Sequence, residues 1–212
     1  MKTSVLMNPF KRLYEEKIGA LTIAPDGNVS ESTPEHPLVL AGSFNPLHDG
    51  HIALLEASKK IVNRPAYFEI SVMNVDKPML SQSELVRRSA QVNAVGESLI
   101  VTNAPRFTEK SSLLPGATFV IGLDTYERLL DHRYYPDWLA GGQSVIENSL
   151  DLIQENNCRF VVAGRVDAMK HFKSFRDSEI ILPARFLGMF TELSESQFRS
   201  DLSSTEIRRQ SR

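Results

Sequence analysis

The stretch Val39-Leu40-Ala41-Gly42-Ser43-Phe44-Asn45-Pro46-Leu47-His48-Asp49-Gly50-His51-Ile52-Ala53-Leu54-Leu55 decides how the rest of the chain is read. An apolar run, a turn holding Gly and Asn-Pro, and a helix-like segment follow one another, which predicts strand, tight turn and helix start. Such a turn leaves backbone N–H groups unpaired at the positive end of a helix dipole, where anions bind. Gly42 and Gly50 have no side chain, so backbone and ligand can approach closely. His48 and His51 are three apart and share a helix face. Two imidazole N–H groups aimed at one phosphate would stabilise the charge that grows on pentacovalent phosphorus. A lone loop histidine is usually structural or solvated, whereas two histidines and two glycines in a strand, turn and helix context favour a phosphate site.

Outward from this loop, strand-like apolar runs recur at 38–41, 67–72, 99–102, 118–121, 159–162 and 185–189, mostly with helical segments between them. Ser81-x-x-Glu84 is a capping box for a helix reaching about Val95, and 144–156 reads as another helix with Val145, Leu150, Leu152 and Ile153 on its buried side. Strands alternating with helices predict an α/β fold with a doubly wound, mostly parallel, Rossmann-like sheet. Ligands of such sheets bind beyond the carboxyl ends of the strands. The segments there, 42–51, 74–78, 103–105, 122–125 and 164–165, are polar, rich in turn formers and carry Lys77, Asp124 and Arg165. Asp124, after Gly122, is placed to accept ribose hydroxyls, although an Asp before Thr125-Tyr126-Glu127-Arg128 also suits a helix N-cap. Lys77 is open to two readings, a phosphate contact or an exposed loop lysine.

Near the end, Ser203-Ser204-Thr205-Glu206-Ile207-Arg208 is a second capping box. The same helix start offers unpaired N–H groups, the hydroxyls of Ser204 and Thr205, and a guanidinium one turn on, a set suited to terminal phosphates.

Gly42 to His51 resembles the GxFxPxHxGH signature of the nucleotidylyltransferase superfamily, and 203–208 resembles the SSTxxR element that closes the same site. Within that superfamily the chain is most similar to nicotinamide or nicotinate mononucleotide adenylyltransferases, with Gly122-Leu123-Asp124 matching their G-x-D triplet. The resemblance spans about residues 37 to 210, so 37–212 is expected to be the nucleotidylyltransferase domain and 1–36 an N-terminal extension. It implies an enzyme that moves AMP from ATP to a phosphate-bearing acceptor and releases pyrophosphate. His48, His51 and Arg208 are then expected in catalysis. Gly42, Ser43, Phe44, Asn45, Gly50, Gly122, Asp124, Arg165, Ser203, Ser204 and Thr205 would contact the nucleotide, and Lys77 and Trp138 the acceptor.

Mg²⁺ is expected as cofactor, held mainly by substrate phosphates. Trp138 lies farther from the G-x-D triplet than the family's stacking tryptophan, and the chain stops soon after SSTxxR; both departures concern the acceptor side. Phosphopantetheine, polyol or choline phosphate as acceptor, CTP as donor, or a nucleotide-binding sensor without turnover are the alternatives. A class I aminoacyl-tRNA synthetase shares the histidine idea, but the chain is too short for one.

Composition sets the limits. In 212 residues, 42% hydrophobic, there is material for a sizeable core. A net charge of −2 gives no general attraction to nucleic acid or to an anionic membrane, so the partners expected are small molecules. One cysteine, Cys158, excludes an internal disulfide and suits a reducing compartment. With no run of ~20 apolar residues and no signal-like N-terminus, the expected location is the cytoplasm. In the first 36 residues 10–18 reads as helical and 20–23 as a short strand before the turn Pro25-Asp26-Gly27-Asn28. That segment is open to three uses: an extra edge element, a contact in a homo-oligomer, or a remnant of a neighbouring domain. Lys170, His171, Lys173 and Arg176 read as a solvated basic face or as a flap over phosphates.

Overall fold

A computed structural model describes residues 8–75, 78–131, 145–167, 169–180 and 182–200. In chain order these form α1 (Pro9–Tyr14), β1 (Ala20–Ile23), β2 (Val29–Ser30), β3 (Leu38–Ala41), α2 (Asp49–Ile61), β4 (Ala66–Ser71), α3 (Gln82–Ala94), β5 (Leu99–Thr102), α4 (Phe107–Leu113) and β6 (Thr118–Gly122). They continue as α5 (Leu123–Leu129), α6 (Val145–Glu155), β7 (Arg159–Ala163), β8 (Arg165–Val166), β9 (Phe172–Lys173), α7 (Ala184–Leu187) and β10 (Phe190–Leu193).

The main sheet runs β10-β7-β6-β3-β4-β5-β1-β2. From β10 to β5 every pairing is parallel; β1 then joins β5 antiparallel and β2 closes the edge. This is the doubly wound sheet expected from the alternating runs. Chain order reverses between β3 and β6, so a crevice opens beyond their carboxyl ends, where the 42–48 loop and Gly122-Leu123-Asp124 lie.

Strand periodicity explains why both faces are apolar. Leu38, Leu40, Phe68, Ile70, Leu99, Val101, Val120 and Val161 enter one core cluster, under α2 and α3. Val39, Ile100, Phe119, Ile121, Phe160 and Val162 alternate with them into a second cluster, under α4, α5 and α6. Cys158 belongs to that second cluster and burial pushes its thiol up to about 11, so it packs as a small apolar group.

Of the three uses open to the N-terminal segment, the structure shows an edge element. Leu13, Leu21 and Ile23 join the first cluster, and the Tyr14 hydroxyl donates to the Leu80 carbonyl at 2.7 Å. Its helix is shorter than periodicity suggests, ending at Tyr14 before Glu16 turns left-handed at φ 55°.

One predicted strand is corrected. Residues 184–187 are helical and the strand follows at Phe190–Leu193. Pro183 caps that helix, while Phe186 and Met189 are buried and Leu187 is 54% exposed. Apolar positions three apart fit a helical turn, whereas a strand would have alternated. Among the described residues no helix is long and apolar enough to cross a membrane.

Candidate active site

At the mouth of α2, His48 occupies the N-cap in extended conformation, and its own side chain makes no capping hydrogen bond. The His51 N–H closes back on the His48 carbonyl at 2.9 Å. The two imidazoles are stacked, with centroids 3.7 Å apart and planes 24° from parallel. Phe44, at φ 43°, meets His51 edge-on at 5.0 Å and is itself buried in the first core cluster. The aromatic anchor thus fixes the second histidine.

Two glycines allow the close packing. A Cβ on Gly42 would sit 2.8 Å from the Phe44 ring, and one on Gly50 2.8 Å from Ser200 Oγ and 3.0 Å from His48 Nδ1. Ser200 therefore lies against the histidine turn, just before the second motif in sequence.

Burial lowers the His51 pKa to about 4, helped by the charge of His48; burial also lowers His48, opposed by Asp49. Both shifts favour the neutral imidazole, which offers one N–H and one acceptor nitrogen. Among the described residues, Nδ1 of both rings is buried without a hydrogen-bond partner. Leaving a buried polar atom unsatisfied costs about 1–3 kcal/mol, and such atoms mark places worth a functional explanation.

The loop is held from α3. Arg88 Nη1 donates to the Ser43 carbonyl at 2.8 Å, Arg87 Nη2 to Asn45 Oδ1 at 2.6 Å, and Leu47 N–H to Gln91 Oε1 at 3.0 Å. Ser81 Oγ caps α3 by accepting from Glu84 N–H, but the Glu84 carboxylate turns to the arginines instead of completing a capping box. Hydrogen bonds from Arg87 and then Arg88 hold its pKa at about 2. Sequence reading missed this brace, although Glu84, Arg87, Arg88 and Gln91 fall at the three- and four-residue spacings of one helix face.

A cleft of about 630 Å³ opens beside the loop, lined by Gly42, Ser43, Asn45, Arg88, Thr125 and Arg128, with Glu69 and Lys110 also in its wall. On the other side of the switch point Arg165 bonds Asp124 directly. Both are more than half exposed, and Asp124 lies in the first turn of α5, with Gly122 at the N-cap position. Arg165 also lines a second cavity of about 660 Å³ with Lys173 and Ser174.

The basic stretch forms a short hairpin of β8 and β9, with Arg176 paired to Glu192 and Phe175, partly buried, packed against the second core cluster. Thus the structure groups Gly42, Ser43, Phe44, Asn45, His48, Gly50 and His51 at one turn, and Gly122, Asp124 and Arg165 across the crevice from it. Lys77, Trp138, Ser203, Ser204, Thr205 and Arg208 lie outside the described residues.

A family model described as cytidylyltransferase-like matches residues 39–210, which takes in the histidine turn, the G-x-D triplet and the terminal motif. A search of curated proteins found no match.

Proposed function

The chain belongs to the cytidylyltransferase-like family of the nucleotidyltransferase superfamily, and we propose that it transfers AMP from ATP to nicotinamide or nicotinate mononucleotide, releasing pyrophosphate. The observation that carries this reading is the stacked His48–His51 pair at the mouth of α2, with Nδ1 of both rings buried and without a hydrogen-bond partner among the described residues.

An oxygen of the acceptor phosphate attacks the α-phosphorus in line, the bond to the β-phosphate oxygen breaks, and pyrophosphate leaves with its electron pair. The acceptor is already an anion, so no protein nucleophile is needed and the rate comes from positioning and charge stabilisation. His48 and His51 donate to the α-phosphate oxygens, where a preorganised donor is most effective. Asp124 and Arg165 part to receive the nucleoside; an exposed ion pair is worth only about 0–1 kcal/mol, so the ligand displaces it readily. Ser203, Ser204, Thr205 and Arg208 take the leaving pyrophosphate. Arg88 and Arg128 line the acceptor cleft, to which Lys77 and Trp138 are assigned on the family resemblance.

Among the described residues no group of three His, Cys, Asp or Glu is arranged to hold a metal. Mg²⁺, if carried mainly by the triphosphate as the resemblance implies, would neutralise phosphate charge. Preference for ATP and for a pyridine mononucleotide rests on the combined resemblance of 42–51, Gly122-x-Asp124, the aromatic segment around Trp138 and 203–208. We place the protein in the cytoplasm on the sequence features given above.

The test is a matrix of ATP, CTP and GTP against both mononucleotides, phosphopantetheine, glycerol phosphate and phosphocholine, with Mg²⁺ and a pyrophosphate readout. Turnover with ATP and a pyridine mononucleotide is expected. Turnover with CTP alone, or with a non-nucleotide acceptor alone, rejects the substrate pair. Tight ATP binding without turnover anywhere in the matrix makes the protein a sensor.

A further inference from the structure

Glu69 stands between Phe68 and Ile70 in the middle of a buried strand. Its neighbours Phe68 and Ile70 enter the first core cluster, so the β4 alternation turns Glu69 to the opposite face, towards α4. Lys110 reaches it from α4, Nζ to Oε1 at 2.5 Å, and Thr102 donates to the same oxygen at 2.6 Å. Among the described residues these two are the charged side chains buried in the interior, at 1% and 5% exposure, and both line the cleft that runs up to Gly42 and Ser43.

Packing does not account for them. Desolvating two charges offsets most of their attraction, and apolar residues of the same size serve a core as well or better. Both hydrogen bonds end on Oε1; among the described residues Oε2 receives none, and Glu69 and Lys110 stand together in the cleft wall. Among the described residues the ammonium makes one hydrogen bond, and it has three donors. A free acceptor and a free donor therefore stand side by side with no net charge.

We propose that Glu69 and Lys110 set acceptor specificity, selecting a neutral group that carries both a donor and an acceptor, a carboxamide, over a carboxylate. The carboxamide gives its N–H to Glu69 and takes a hydrogen bond from Lys110. A carboxylate has no donor to give and would bring a second negative charge against Glu69 in a poorly hydrated floor. This rests on the mononucleotide reading of the same cleft and resolves it in favour of nicotinamide.

The experiment compares kcat/KM for nicotinamide and nicotinate mononucleotide, with ATP and Mg²⁺, in the full chain and two variants. The wild type is expected to prefer the amide by ~10-fold or more, a modest return from a site built to hydrogen-bond both polar atoms. Glu69→Gln removes the repulsion and shifts the ratio towards the carboxylate by ~10-fold. Glu69→Gln/Lys110→Gln, which leaves no unpaired charge and folds even where the single variant does not, brings the two substrates to within about threefold of each other. A wild type that uses both acceptors equally, or variants that keep the wild-type ratio, overturns the assignment and leaves nucleotidyl transfer standing. Turnover with neither mononucleotide but with another phosphate acceptor rejects the proposed substrate pair and this inference together.

Discussion

Two ion pairs flank the switch point of the sheet, and their surroundings give them opposite uses. Lys110–Glu69 has side chains 7% and 1% exposed, whereas those of Arg165–Asp124 are 53% and 60% exposed. Charges in water exchange partners at little cost, so the outer pair is suited to opening for a ligand. Charges in a dry floor have no such freedom: once one partner is lost, the other remains uncompensated. In the proposed function the inner pair would select which groups fit, and the outer pair would give way to the nucleoside.

The sharpest way to break this comparison is Lys110→Met, which leaves Glu69 in the interior with Thr102 as its remaining donor among the described residues. We expect a loss of about 3–5 kcal/mol in urea unfolding at neutral pH. A loss below 1 kcal/mol would mean that water reaches Glu69 freely and that the contrast between the two pairs is false.

A second test concerns His51. Its folded pKa, about 4, lies below the ordinary 6.5 because burial disfavours the imidazolium. Between these values the unfolded chain binds more protons, so this contribution to stability is complete above about pH 6.5 and is lost as pH falls towards 4. The fully developed loss is about 3 kcal/mol, with His48 acting in the same direction. Unfolding free energies measured across that window should fall less steeply in His51→Asn than in the wild type. Parallel curves would show that the ring is hydrated and readily protonated.

The smallest effect is expected from Asp124→Asn. It should change stability by less than about 1 kcal/mol, since it removes an exposed pair, while raising the apparent KM for the nucleotide. An unchanged KM would remove Asp124 from the nucleotide site.

The histidine turn was legible because its signals are local: Gly42, Asn45-Pro46 and Gly50 stand within one strand-to-helix connection, and His48 and His51 are one helical turn apart. The alternation in β3 to β7 was legible for the same reason. Residues 185–189 misled because Phe186 and Met189 count as apolar in either period, and only Pro183 pointed to a helix. Glu69 was readable as an anomaly, a carboxylate within a core strand, but its partner stands 41 positions away and nothing local names it. The hold of Arg88 on Ser43, across 45 positions, is likewise set by the packing of α3 beside the loop. The stacking of the two histidine rings, and not only their shared face, also required coordinates.

The central claim is that the His48–His51 pair acts on the transferring phosphate. Its most direct test is pyrophosphate release by His51→Ala beside ATP affinity measured on the same preparation. We expect turnover to fall by ~10²-fold or more, as when one preorganised donor is removed from a transition state, with ATP affinity changed only a few-fold and the melting curve still cooperative. Wild-type turnover in a correctly folded His51→Ala protein would contradict the claim.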